Sequence, residues 1–156
     1  MTEHHAAIRW ENPGTTLAHD SFSRDHRWIL KDGRVTVPAS AAPSFRGSDG
    51  AVDPEEALVA ALASCHMLTF LAIAAKRRLV VTGYADDAVG VLEPDAAGRL
   101  AITRVTLRPV VTFGPDSTPG PAELAKLHAK AHEHCFIANS VRATVVVEPA
   151  PAASGS

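Results

Sequence analysis

From Leu58 to Ala75 the chain is almost continuously apolar, and this run constrains the fold more than any other segment. It approaches the length needed to cross a bilayer. Yet Ser64, Cys65, His66 and Thr69 interrupt it, and Asp53, Glu55 and Glu56 flank its start. A helix apolar on nearly all sides, interrupted and flanked in this way, fits the centre of a soluble core. Asp53-Pro54-Glu55-Glu56 reads as its beginning: Asp53 caps, proline suits the first helical position, and two acids favour the positive end of the helix dipole. Lys76, Arg77 and Arg78 suit its other end. The expectation is one long core helix ending near Arg78 and no membrane association.

The remaining segments are shorter. His5 to Glu11 alternates like a strand and stops at Asn12-Pro13-Gly14. His26 to Leu30 and Arg34 to Pro38 read as a hairpin closed through Lys31-Asp32-Gly33. Residues 39–52 are rich in Ser, Ala, Pro and Gly and read as a loop. Val80 to Glu93 and Leu100 to Phe113 read as two long strands around a turn at 95–98. A loop at 114–120 leads to a second helix from Pro121 to near Phe136, then a closing strand over 142–148. The sequence therefore predicts an α+β domain in which an antiparallel sheet wraps a long central helix. The domain spans residues 1–149, and 150–156 read as a disordered tail.

A chain of 156 residues with a formal net charge of −2 fits one domain and carries no basic footprint for nucleic acid. The opening MTEHHAAIRWENPG lacks the basic and apolar regions of a secretory leader. With only two cysteines, this points to a reducing cytoplasm, where a cysteine pair is more often catalytic or metal-binding than structural.

Cys65 lies about ten residues into the long helix, and Cys135 closes the second. A thiol near its ordinary pKa is only a few per cent ionised at neutral pH, so a reactive Cys65 needs a cation or strong donor nearby. Arg24 and Arg46 are the candidate cations. Glu55 precedes Cys65 by ten residues, about 15 Å along a straight helix, and so cannot touch it within that helix. His128, His132 and Cys135 share one helical face and, with Cys65, form a candidate four-ligand metal site. Burial of Cys65 as a small hydrophobe is the plain alternative.

Taken in order, these segments resemble the OsmC/Ohr family of thiol-dependent peroxidases, in particular an OsmC-like subgroup. The resemblance is carried by Asp53-Pro-Glu-Glu-Ala-Leu-Val-Ala-Ala-Leu-Ala-Ser-Cys65, by Ser-Arg24-Asp-His ahead of it, and by His-Glu-His-Cys135-Phe-Ile-Ala-Asn-Ser behind it. It implies an intertwined homodimer that reduces organic hydroperoxides, with hydrogen peroxide as a further candidate substrate. It further implies that Cys65 attacks the peroxide, Cys135 resolves the sulfenic acid as a disulfide, and a dithiol, typically a lipoyl protein, restores both thiols. Arg24 would lower the thiol pKa and hold the peroxide, and Glu55 would orient the guanidinium. No cofactor or metal is implied. Asp53 replaces the family's usual asparagine, and Phe-Ser-Arg24-Asp-His replaces its glycine-rich spacing, which leaves Arg27 and Arg46 as alternative cations. His66 and His134 beside the cysteines are also unusual. A metal-binding or sensor module and a catalytically silent dimer are the rival readings.

Overall fold

Helix α1 (Pro54–Lys76) forms where the sequence places it, and its start is doubly capped. Asp53 Oδ1 accepts the Glu56 backbone N–H at 2.7 Å, and Glu56 Oε2 accepts the Asp53 N–H at 3.4 Å. This is a capping box with aspartate at its first position. At the far end Leu79 N–H reaches Ala74 O and Arg78 N–H reaches Ala75 O, while Arg78 adopts a left-handed φ of 60°. That is a Schellman ending, with arginine where glycine is usual.

The computed structural model describes residues 1–115 and 118–154. They fall into two compact units, Met1–Ala57 and Leu58–Ser156, with α1 starting in the first and continuing through the second. Asp116 and Ser117 of the expected loop, and Gly155 and Ser156 of the expected tail, lie outside the described residues.

The first unit is a three-stranded antiparallel sheet, β1 (Ala6–Arg9), β2 (His26–Leu30) and β3 (Val35–Ala39), in that order. The expected hairpin forms with Leu30 opposite Val35, and Lys31, Asp32 and Gly33 all take positive φ. A single 3₁₀ turn at Pro43–Phe45 follows. Gly47 lies so close to the Ala41 carbonyl that a Cβ there would fall 1.5 Å from its oxygen, so this position excludes every side chain.

In the second unit the two long strands expected at 80–93 and 100–113 are each broken. The segments are β4 (Val81–Asp86), β5 (Val89–Pro94), β6 (Leu100–Leu107) and β7 (Pro109–Phe113), and they pair as β4–β7 and β5–β6 in separate sheets. Asp86 and Pro109 cause the break. Asp86 Oδ1 takes the Arg108 N–H at 2.7 Å, diverting it from the ladder, and proline supplies no N–H at the next position. The closing strand β8 (Thr144–Val147) joins β6 in parallel, and β9 (Ala153–Ser154) joins β7 in parallel where the sequence predicts a disordered tail.

Helix α2 (Pro121–Glu133) is shorter than expected. Its last turn tightens, with Cys135 N–H on His132 O and the Asn139 amide on Glu133 O, so Cys135 lies beyond the helix rather than on its face. Two apolar clusters fill this unit. One joins Phe70 and Ala74 of α1 to Val111, Phe113, Leu124, Leu127 and Ala131; the other joins Leu62 to Val105 and Leu107. The fold is thus α+β, with antiparallel sheets, parallel additions at two strands and one long helix.

Candidate functional site

Helix α1 buries a narrow stripe, Leu62, His66, Phe70 and Ala74, at four-residue spacing. Cys65 lies just off that stripe and is half-buried. It opens into a cavity of about 490 Å³ with Ala61, Leu68 and Ala72 on the same helical face, and with His134 and Phe136 from the segment after α2. Thr69 Oγ1 donates to Cys65 O at 2.8 Å, anchoring the backbone beneath the thiol.

Cys135 is brought to Cys65 by the tightened end of α2. Cys135 is 1% exposed, and its chain neighbours His134 and Phe136 line the Cys65 cavity, which puts the two cysteines near one another. Burial, reinforced by Cys65, pushes the Cys135 thiol up to about 11, against weaker opposition from the Ala138 N–H that donates to its sulfur at 3.5 Å. The segment holding it is rigidly tied: Asn139 N–H reaches Cys135 O at 3.0 Å, and Ser140 Oγ donates to Phe136 O at 2.7 Å. Both cysteines are free. One thiol therefore faces a cavity while its buried partner is held protonated against it.

The candidate metal set does not assemble. His128 is 2% exposed, and its Nδ1 lies 3.1 Å from Nε2 of fully buried His66, the two rings stacked 4° from parallel. His128 also stacks on Phe70 at 4.5 Å. Burial drives both imidazoles down to about 4; on His66 the neighbouring His128 and His132 add to this. Among the described residues, no group of three or more His, Cys, Asp or Glu is placed to hold a metal ion. The sequence reading singled out both histidines without pairing them, because they are 62 positions apart and no periodicity links them.

Arg24 and Glu55 lie in the first unit, and Cys65 and Cys135 in the second. Arg24 Nη1 donates to Phe22 O at 2.7 Å and Nη2 to His19 O at 2.8 Å, with the guanidinium 4.1 Å from the Phe22 ring centroid. The rival cations are committed to surface carboxylates: Arg27 pairs with Glu11 at 3.4 Å, and Arg46 pairs with Asp20. Arg24 has no carboxylate partner among the described residues, and Glu55, in the first turn of α1, has no ion pair among them. The sequence reading missed His26 and Trp28, whose side chains bond each other at 3.0 Å. Their only signal is alternate placement on one strand face.

The fold and site define a class of α+β proteins in which a cysteine on one long apolar helix lies near a second cysteine just beyond the end of another helix. The profile of the OsmC-like protein family matches residues 47–150, and the chain belongs to that family. An OsmC-like protein of unknown function from Vibrio cholerae is 45% identical, covers 96% of this chain and all of its own, and superposes with a TM-score of 0.91. The organic hydroperoxide resistance protein OhrB of Bacillus subtilis is 15% identical over 99% of this chain and 98% of its own, with a TM-score of 0.63, a likeness of fold. The uncharacterized protein YmaD of Bacillus subtilis is 22% identical over 95% of this chain and 93% of its own.

Proposed function

We propose that the protein is a thiol-dependent peroxidase for organic hydroperoxides. The observation that carries this reading is the placing of Cys65 on an apolar cavity with buried Cys135 close behind it, between the cavity-lining His134 and Phe136. The Cys65 thiolate attacks the distal peroxide oxygen, the O–O bond breaks, and the alkoxide leaves as alcohol once protonated, giving Cys65 sulfenic acid. The Cys135 sulfur then attacks that sulfenic acid; the S–O bond breaks, the Cys135 thiol proton leaves with the hydroxide as water, and a disulfide forms. An external dithiol, of the lipoyl type, exchanges with the disulfide and restores both thiols. Arg24 holds the peroxide and favours the thiolate, and Glu55 orients the guanidinium. The exposed apolar surface of α1 favours a homodimer as the working form, acting in a reducing cytoplasm.

The asymmetry of the two thiols supports the division of labour. The half-buried Cys65 meets the cavity, whereas Cys135 is enclosed and its burial holds it protonated. The test is thiol titration and intact mass after one equivalent of cumene hydroperoxide. Loss of both thiols with a Cys65–Cys135 linkage is expected, Cys65→Ser should abolish peroxide consumption, and two unchanged thiols would refute the mechanism.

A further inference from the structure

The segment entering β2 carries Arg24, and four consecutive residues there are each fixed by a side-chain hydrogen bond. Trp10 Nε1 donates to Ser23 O at 2.8 Å. The Arg24 guanidinium is turned onto Phe22 O and His19 O, which leaves three of its five N–H donors for a ligand. Asp25 Oδ1 accepts from Ser40 Oγ at 2.8 Å and from Ser48 Oγ at 2.6 Å, and these bonds hold its carboxyl below the ordinary range. His26 completes the set from the strand itself, with Nδ1 2.8 Å from Arg24 O and Nε2 3.0 Å from Trp28 Nε1.

The chemistry of these atoms fixes the state of the imidazole. An indole N–H can only donate, so His26 Nε2 is the acceptor. The ring proton therefore sits on Nδ1, where it donates to the Arg24 carbonyl. Trp28, His26 and the Arg24 backbone form a directed chain with one tautomer, as when a second hydrogen bond fixes a ligating or catalytic histidine. His26 and Trp28 are both half-buried, two residues apart on one face of β2, and a cavity of about 480 Å³ is lined by Trp10, Phe22, Arg24 and His26.

We propose that His26, locked by Trp28, is a positioning residue that sets the Arg24 backbone, and so its guanidinium, before peroxide binds. The proposal rests on the reading of Arg24 given above. Pre-setting matters because a displacement of the order of 1 Å in a positioned group can cost a large factor in rate.

Two measurements test it on the full-length protein. Nitrogen-15 NMR of the His26 ring near neutral pH should show the neutral Nδ1–H form, with the Trp28 indole N–H protected from exchange; an Nε2–H form overturns the chain whatever the activity. In cumene hydroperoxide turnover, His26→Ala and Trp28→Phe should each lower kcat/KM about tenfold, while His26→Gln, which keeps a donor and an acceptor, recovers most of the loss. In an Arg24→Ala background His26→Ala should add nothing, because its effect runs through the arginine; an equal further loss overturns positioning. Full activity of His26→Ala and Trp28→Phe beside an inactive Arg24→Ala overturns the positioning role alone. An Arg24→Ala protein with wild-type turnover overturns the reading of Arg24 and this proposal with it. Where His26→Ala does not fold, Trp28→Phe, which preserves an aromatic ring in the same place, carries the comparison.

Discussion

His66 and His128 are two buried polar rings beside Phe70, and each leaves one ring nitrogen without a partner among the described residues. Their shared hydrogen bond needs one donor and one acceptor, which rules out two cations, and burial disfavours charge on either ring. In the unfolded chain each titrates near 6.5, against about 4 when folded. Between those values the unfolded chain binds more protons, so stability is complete above pH 6.5 and falls as the pH drops toward 4. Denaturant midpoints between pH 8 and 4 should show this fall, and a His66→Phe, His128→Leu double variant should flatten it. A slope that survives in the double variant would place it elsewhere. His128→Leu alone should cost about 1–3 kcal/mol, because it strands His66 Nε2 in the core, and the double variant should recover much of that loss.

The two ends of α1 are the elements the sequence describes best, because capping is local. Asp53 and Glu56 are three residues apart, and their reciprocal bonds need nothing from the rest of the chain. Asp53→Ala should therefore lower stability by about 1 kcal/mol. Arg78→Gly should raise it by up to about 1 kcal/mol, since arginine at φ 60° carries a steric penalty that glycine avoids. Chemical denaturation checks both, and an arginine variant no more stable than wild type would show that the Arg78 side chain compensates. What the sequence hides depends on distant partners. The break in the two long strands comes from Asp86 capturing the Arg108 N–H 22 residues away, and alternation alone carries no trace of it. Cys135 leaves α2 because Asn139 and the tightened turn take up its last carbonyls. The thiol pair itself was legible as two cysteines in unlike settings. Which one is enclosed was not, because that depends on how the segment after α2 closes.

At the scale of the whole molecule, α1 is the part the single chain leaves unfinished. By length and composition it could cross a membrane, yet only 22% of its most apolar window is buried. Leu68 is 60% exposed and Phe136 79%, and both border the Cys65 cavity. Each large apolar side chain left in water forfeits about 1.5–3 kcal/mol that burial would provide. Contiguous exposure of this kind marks an interaction surface. The homodimer proposed above would supply a second copy to cover it, and closure of the cavity would then depend on assembly. Light scattering behind gel filtration should give twice the 16.4 kDa chain mass at micromolar concentration. Leu68→Glu should shift the protein toward monomer, because a carboxylate at the contact would have to be desolvated without a partner. Peroxide turnover should fall in parallel, and more steeply on dilution than in wild type. A wild-type protein that remains monomeric at tens of micromolar while consuming peroxide at full rate would refute the dimer. It would then leave the apolar face of α1 to a different partner.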